Sequence, residues 1–157
     1  MNENEKILWE GSPSQIINFR IYFICDVIIL LIIGLAIWLN VWIAVLAIIP
    51  LGYASWKWIS LKCYKYKLTE ERFTLTTGIL SKQIEEMELY RIRDYSVLQP
   101  FFLRVFALGT IILKTSDKTM PDVSIMAIKD FINVKDKIRD RVEILRKEKD
   151  IKEIDYE

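Results

Sequence analysis

The sequence contains no histidine, and its two cysteines, Cys25 and Cys63, stand far apart in the chain. The lack of histidine excludes a Ser-His-Asp triad, a histidine general base and histidine metal ligands. The cysteines form neither a disulfide framework nor a zinc motif, so we interpret them as reduced thiols with structural roles. The chain also lacks a P-loop, a dinucleotide-binding glycine pattern and a nucleophile elbow. We therefore predict that the protein is not an enzyme and holds no cofactor and no metal.

The charges are balanced in total but unevenly distributed. The net charge is +1 over 157 residues, so the total predicts no preference for nucleic acid or another polyanion. Between positions 21 and 56 the strongly polar residues are Asp26, Asn40 and Ser55, whereas charged residues are frequent from Lys57 onward. This distribution is typical of a membrane segment joined to a soluble domain.

The apolar stretch from Ile21 to Trp58 is nearly twice as long as one membrane-spanning helix, which needs about 20 residues. We predict two helices, 21–38 and 42–59, joined by a tight turn at Asn40. A secretory signal peptide would have a shorter apolar core followed by a small-residue cleavage site. A single continuous helix would extend far beyond a bilayer.

Aromatic residues stand at both ends of the predicted hairpin, as expected at membrane–water interfaces. They are Trp38 and Trp42 at the turn, and Tyr53, Trp56 and Trp58 at the other end. Pro50 removes one backbone hydrogen bond and predicts a kink in the second helix.

Basic residues predict the orientation of the hairpin. Four lysines without an acidic residue among them follow the second helix, namely Lys57, Lys62, Lys65 and Lys67. Lys6 and Arg20 precede the first helix, and the turn carries no charge, so we predict a multi-pass protein of the cell membrane with both termini in the cytoplasm. The four lysines are also candidate contacts for anionic lipid headgroups, each worth about 1 kcal/mol near the surface. A topological signal without a binding role is the other interpretation.

Asp26 is the one acidic residue inside the apolar stretch and is a candidate intramembrane polar site. One interpretation is a carboxylate near the cytoplasmic interface that reaches water or pairs with Lys57. The other is part of a proton or ion pathway.

From Cys63 onward the apolar residues alternate with period two, which is typical of β-strands. Six strands are predicted, at 64–68, 72–77, 80–89, 94–98, 110–115 and 123–128. The imperfect alternation within 80–89 predicts a bulge, and turns are expected at 69–72 and 116–121. Short strands with turns between them predict an antiparallel sandwich or partly open barrel.

The end of the soluble part has helical periodicity. Apolar residues recur at spacings of three and four, at Phe131, Val134, Ile138, Val142 and Leu145. They form one stripe on a predicted amphipathic helix over 131–148, with Asp130 as its N-cap. Residues 150–157 have no such stripe and are expected to fray.

Five stretches occur in an order and spacing that together suggest a family. They are Glu10-Gly-Ser-Pro-Ser14, Tyr66-Lys-Leu-Thr-Glu-Glu-Arg72, Thr77-Gly-Ile-Leu80, Leu89-Tyr-Arg-Ile-Arg-Asp94 and Arg104-Val-Phe-Ala-Leu-Gly-Thr-Ile111. The set resembles the bacterial PH-like (pleckstrin-homology-like) membrane proteins of the YdbS-like group, in which glycine often stands at the position of Ala107. The resemblance implies an α+β fold, in which a transmembrane hairpin precedes a PH-like antiparallel β domain with a C-terminal amphipathic helix. It implies no catalytic residues.

Two charged groups are further candidates. Glu85, Glu86 and Glu88, with Asp94 nearby, form an acidic patch that is either a cation or partner site or a solvated strand edge; we favour the solvated edge. The arginines Arg91, Arg93 and Arg104 are candidate phosphate contacts. The turn at 69–72 carries two acids where phosphoinositide-binding relatives, as the resemblance implies, carry basic residues, so no phosphoinositide specificity is expected.

Phe101 and Phe102 stand in an apolar connector between Pro100 and Gly109. They are either part of a partner surface or buried under the sheet, and we favour burial. The basic and aromatic stretch 62–67 lies against the predicted membrane surface, so binding to nucleic acid is not expected.

The sequence therefore predicts four parts: a cytoplasmic segment 1–20, a transmembrane hairpin 21–59, a PH-like domain 62–149 and a tail 150–157. The predicted function is a membrane-anchored, non-enzymatic interaction or scaffolding module, whose partners are the lipid bilayer and another protein or a second copy. The alternatives are an anionic lipid headgroup binding module and a subunit of a membrane transporter or enzyme.

Overall fold

The computed structural model describes residues 5–117 and 120–149. The predicted tail 150–157 and two residues of the predicted turn 116–121 lie outside this range. Two long helices dominate the N-terminal part. Helix α1 spans Phe19–Trp38 after a 3-10 turn at Gln15–Asn18, and helix α2 spans Ile48–Lys62 after a 3-10 segment at Val41–Ala47.

The turn between the helices lies at Asn40, as predicted. Its side-chain oxygen accepts a hydrogen bond from the backbone N–H of Trp42 at 3.0 Å and so caps the following 3-10 segment. Pro50 is the third residue of α2, which follows directly on the 3-10 segment. The kink predicted in the second helix stays a prediction, and the irregularity observed there is the change from 3-10 to α-helix just before Ile48.

In the described residues seven strands form two antiparallel sheets, which confirms the α+β class. The first sheet has the order β1-β2-β3-β4, with β1 at Ile7–Gly11, β2 at Lys65–Thr69, β3 at Arg72–Thr77 and β4 at Gln83–Glu88. The second has the order β5-β6-β7, with β5 at Ile92–Leu98, β6 at Leu108–Thr115 and β7 at Asp122–Lys129. A short helix, α3, spans Phe101–Val105 between β5 and β6.

Strand β1 was not predicted from the sequence, and the bulge predicted within 80–89 is wrong. Residues 7–11 pair antiparallel with β2, so the helical hairpin is inserted between two neighbouring strands of one sheet. The β3–β4 pairing is continuous in register. The irregularities lie instead in the β1–β2, β5–β6 and β6–β7 pairings.

The core lies between the two sheets and the C-terminal helix α4, Phe131–Glu148. It includes Tyr66 and Phe73 from the first sheet and Ile125 from the second. Four residues of the predicted stripe are buried in it, namely Val134, Ile138, Val142 and Leu145. The helix therefore closes the β domain with the bounds expected from its periodicity.

Asp130 precedes α4, but it does not cap the helix as predicted. It adopts a left-handed conformation with φ of 54°, and no backbone N–H of the helix reaches its side chain. Its carboxylate instead accepts a hydrogen bond from the side-chain amide of Asn133 at 2.9 Å. The predicted start of the helix is confirmed, whereas the predicted N-cap hydrogen bond from Asp130 is wrong.

Candidate functional site

Polar side chains join the two helices where they enter the β domain. Gln15 donates to the carbonyl oxygen of Trp58 at 3.1 Å, and buried Asn18 donates to that of Lys57 at 3.3 Å. The hydroxyl of Tyr22 donates to the side-chain oxygen of Gln15 at 2.6 Å. We call this group the hairpin base: the side chains of Gln15, Asn18 and Tyr22 with the backbone of Lys57 and Trp58. Sequence reasoning missed it, although amides directly before an apolar stretch were a usable signal.

A bulge in β7 connects the second sheet to the first sheet and to Ser14, which precedes the hairpin. Met126 and Ala127 lie opposite the single residue Thr110 of β6. The N–H of Met126 donates to the hydroxyl of Tyr66 on β2 at 3.2 Å, and the N–H of Ala127 donates to the hydroxyl of Thr110 at 3.1 Å. The carbonyl of Ala127 accepts from the N–H of Ser14, at 3.1 Å, just before the first helical turn. Both bulged N–H groups are thus paired, as buried backbone groups require.

The four candidate lysines are divided between two elements and do not form a single patch on one face. Lys57 and Lys62 lie on α2, five positions and therefore roughly 140° apart around the helix axis. Their ammonium groups lie over aromatic rings one turn earlier, Lys57 over Tyr53 at 5.7 Å and Lys62 over Trp58 at 3.9 Å. The other two share the face of β2 opposite its buried side chains, and they are Lys65 and Lys67.

Asp26 has an exposed side chain on α1. Within residues 5–117 and 120–149, no hydrogen bond or ion pair to its carboxylate is formed, so the pairing with Lys57 considered from the sequence is not observed. A proton or ion pathway needs further polar groups near the carboxylate. The described part of the chain brings none into contact with it.

Two of the three glutamates of the acidic patch on β4 pair with arginines, and the third, Glu85, accepts from the side-chain amide of Gln83 at 2.7 Å. Glu86 pairs with Arg72 at 3.3 Å, and Glu88 pairs with Arg91 at 3.1 Å. Arg91 also contacts Asp117 at 3.3 Å, and these side chains line a polar cleft of about 310 Å³. In the described part of the chain, no cluster of three or more acidic or cysteine side chains could hold a metal ion. Glu86, Glu88 and Asp117 therefore form ion pairs with arginines of the same chain.

Hydrogen bonds within this cleft hold Glu88 ionised. A hydrogen bond from Tyr90 is the largest cause that lowers the pKa of Glu88, and the guanidinium of Arg91 lowers it further. The pKa of Arg91 is raised, first by its own hydrogen bond to Tyr90 and then by that to Glu88. The candidate phosphate contact Arg91 is thus already engaged by carboxylates, whereas Arg93 and Arg104 are exposed and lie on separate elements, β5 and α3. Asp94 lies on β5, and its carboxylate accepts from the N–H of Tyr95 at 2.8 Å.

The turn at 69–72 has the predicted position and a partner on α4. The hydroxyl of Thr69 accepts from the N–H of Arg72 at 3.1 Å, which closes the turn. Glu70 at its tip pairs with Arg141 of α4 at 2.9 Å. One acid of the turn therefore contacts α4 and the other faces solvent. Phosphate binding at this turn would need basic side chains instead.

Phe101 and Phe102 are not buried under the sheet, so the favoured sequence interpretation is wrong. Their side chains are 77% and 61% exposed on α3. The ring of Phe102 lies 6.2 Å, between centroids, from that of Phe19 at the start of α1. A cavity of about 620 Å³ with mostly apolar walls opens between the start of α1 and α3. The structure therefore brings the connector next to the hairpin.

Comparison with known proteins gives one match. No curated protein and no solved structure matches the chain. The family model of the bacterial PH domain matches residues 21–142, which is more than half of the chain and includes both long helices. The PH-like fold expected from the five sequence stretches is confirmed, whereas the narrower YdbS-like group stays a prediction. The chain belongs to the bacterial PH domain family.

Proposed function

We propose that this protein is a membrane-anchored, non-enzymatic interaction module that presents its PH domain at the cytoplasmic membrane surface. PH domains generally mediate protein or lipid interactions and are generally non-enzymatic, which supports a binding module. In this proposal the hairpin 21–59 is the anchor and the domain 62–149, completed by β1, is the binding part.

The exposure of the hairpin supports the anchor. Its two helices, extended to Gln15–Trp38 and Val41–Lys62, are long and apolar enough to cross a bilayer. In a soluble protein such helices would be buried in a core, but here nearly all of their large apolar side chains face outward. Leaving that much apolar surface in water costs about 25 cal/mol for each Å², and a bilayer removes the cost.

The single observation that carries the proposal is the insertion of the hairpin between two paired strands. Only residues 12–14 separate β1 from the first helical turn, and only residues 63–64 separate α2 from β2. Since β1 and β2 pair with each other, both ends of the hairpin are held by one sheet. A domain connected in this way lies directly against the surface that the helices enter, and it does not move on a flexible linker.

The leading candidate for the bound partner is another protein or a second copy of the chain. Strand β4 forms one edge of the first sheet, and near it Leu80 and Ile84 are exposed. An exposed strand edge with apolar side chains supports pairing with a further strand.

Two measurements test the proposal. Full-length protein in native membranes should stay in the pellet after alkaline carbonate extraction, because only spanning segments resist it. Cross-linking in the same membranes should capture a partner through residues near β4, and an Ile84→Lys variant should lose that product while Ile132→Lys on α4 keeps it. Extraction into the supernatant would overturn the anchor. Equal cross-linking of both variants would overturn the assignment of the edge.

Anionic lipid headgroup binding is the second candidate, through Lys57, Lys62, Lys65 and Lys67. The placement of Lys62 over Trp58 supports it, because an indole at the interface would hold the ammonium group at headgroup height. Protein reconstituted in nanodiscs should then melt at a higher temperature with phosphatidylglycerol than with phosphatidylcholine alone. Replacement of Lys65 and Lys67 by alanine should reduce that difference, and the matched pair Lys135→Ala and Lys137→Ala on α4 should not.

A further inference from the structure

The short helix α3 exposes a concentrated apolar surface. Within Phe101–Val105 and the residue that follows, Phe101, Phe102 and Val105 are 77%, 61% and 63% exposed, and Phe106 is also exposed. Contiguous apolar side chains of this size are rarely left in water without a binding role. The helix is held in place by the backbone bond from Arg104 to Pro100 and by Gln99, whose amide donates to the carbonyl of Leu108 at 3.0 Å.

This surface is continuous with the outer surface of the hairpin. Phe102 contacts Phe19, the first residue of α1, with ring centroids 6.2 Å apart. Phe19 in turn stacks on Phe23 one turn further along α1, at 6.5 Å. An unbroken aromatic row therefore leads from α3 onto the side of the helix that is expected to enter the bilayer.

The polar groups nearby fit the height of an interface. Arg20 lies at the start of α1 and lines the cavity between α1 and α3, whose other walls are apolar. Arg104 is exposed on α3 itself. Aromatic rings with arginines beside them are typical of the boundary between acyl chains and headgroups, where the rings stay apolar and the guanidinium groups reach phosphate.

We propose that α3 inserts the side chains of Phe101, Phe102, Val105 and Phe106 into the membrane interface beside α1, so that the PH domain is attached to the bilayer at a second point. The occupant of the cavity is then a phospholipid, with its acyl chain along Phe19 and Phe23 and its phosphate at Arg20. This inference rests on the proposed function, because α3 reaches the bilayer only if the hairpin crosses it.

The location on the hairpin favours lipid over a soluble partner. A protein bound to α3 would have to share the surface with whatever covers the adjoining side of α1, and in a membrane that cover is lipid. Two attachment points would also restrict rotation of the domain, so the edge at β4 would keep one orientation relative to the membrane.

The test uses the unmodified chain in phosphatidylcholine nanodiscs that contain a trace of phosphatidylcholine with a photoreactive diazirine on its acyl chain. After illumination, mass spectrometry locates the lipid adducts. We expect adducts on both helices of the hairpin and on residues 101–106. Adducts confined to the hairpin would overturn the insertion of α3 but leave the anchor intact, and adducts on neither would overturn the anchor as well.

A pair of variants makes the result specific. Phe101→Ser with Phe102→Ser should reduce adducts on α3 severalfold without reducing those on the hairpin. The control, Ile132→Ser with Ile144→Ser, removes exposed apolar side chains from α4, outside the hairpin and α3, and should change neither. Unchanged labelling of α3 in the first pair would contradict the proposal. If that pair does not fold, the adduct map of the unmodified chain decides alone. A dimer linked through residues 101–106 by a bifunctional protein cross-linker in the same nanodiscs would contradict the proposal and assign the surface to a second copy.

Discussion

Ser14 donates its backbone N–H to the carbonyl oxygen of Ala127 at 3.1 Å, and this bond connects the start of the helical hairpin to the second sheet. Ala127 lies in the bulge of β7 and has a left-handed conformation with φ of 42°. The first sheet is connected to the hairpin through β1 and β2. The hairpin is therefore attached to both sheets, so a displacement of the helices would strain the contacts to both.

The hydroxyl of Thr110 is needed to keep the bulge in β7. It accepts the N–H of buried Ala127, which has no ladder partner at that point. Thr110→Val should lower the free energy of unfolding by about 1–3 kcal/mol, because it leaves this buried donor unpaired. Thermal unfolding of the full chain in detergent micelles measures the change. Thr74→Val on β3 is the matched control and should be close to neutral; an equal loss in both variants would contradict the role of the hydroxyl.

Tyr66 is expected to make the protein less stable as the pH becomes alkaline. Burial raises the pKa of its hydroxyl above the ordinary 10.0, so the folded state keeps a proton that the unfolded state loses. The free energy of unfolding is therefore undiminished below pH 10 and falls as the pH rises toward the pKa of the folded state. Tyr66→Phe should be less stable at neutral pH, because the N–H of Met126 loses its acceptor, and should show a weaker alkaline decline. Parallel pH curves for Tyr66→Phe and the parent would rule out this titration.

Ala107 occupies a position that favours glycine. It follows α3 with φ of 54°, a conformation that costs an L-residue about 1–2 kcal/mol. Ala107→Gly removes that strain. It also makes the unfolded chain more flexible, which stabilises the unfolded state by about 0.4–1 kcal/mol, so we expect the free energy of unfolding to rise by about 0.5–1 kcal/mol. Ser124→Gly in the regular part of β7 should instead lower stability. Thermal unfolding compares the two, and a loss of stability in Ala107→Gly would show that strain is not the dominant effect.

The features predicted correctly from the sequence are those whose local pattern is compatible with one kind of secondary structure. An apolar stretch of this length with a polar residue at its centre folds as two helices, and a stripe at spacings of three and four folds as the amphipathic helix α4. The turn at 69–72 followed from the polar interruption between two alternating runs. In each case the pattern and the element lie in the same stretch of chain.

The features that were missed depend on distant partners. Strand β1 has only five residues, and its partner β2 begins after the entire hairpin, so its local pattern was too short to stand out. Phe101 and Phe102 were expected under the sheet because the composition of an apolar connector does not show whether it is buried or exposed on the surface. The division of the lysines between α2 and β2 likewise follows from the strand boundary at Lys65 and was not visible in their spacing.

Ile138 tests whether α4 belongs to the core. Its side chain is fully buried against the sheets, whereas Ile132 on the same helix is 58% exposed. Ile138→Asp places an unpaired charge in the core and should cost on the order of 4 kcal/mol, a large part of a small domain's stability of about 5–15 kcal/mol. Ile132→Asp introduces the same chemical change at the surface and should cost under about 0.5 kcal/mol. If Ile138→Asp melts like the parent while association between copies is lost, the stripe is an oligomer interface instead.

The orientation of the hairpin can be tested by cysteine accessibility in intact cells. Val41 lies next to the turn at Asn40 and is exposed, and replacing it leaves the Asn40 cap on Trp42 intact. If both termini are cytoplasmic, Val41→Cys should react with a membrane-impermeant maleimide added outside. The natural Cys63, which follows α2 on the lysine-rich side, should react only after the membrane is permeabilised. Cys25 is buried and serves as a background control. The basic residues Arg20, Lys57 and Lys62 favour this orientation because positive charge is retained on the cytoplasmic side. Labelling of Cys63 from outside, with protection of position 41, would reverse the topology and place the PH domain on the other face of the membrane.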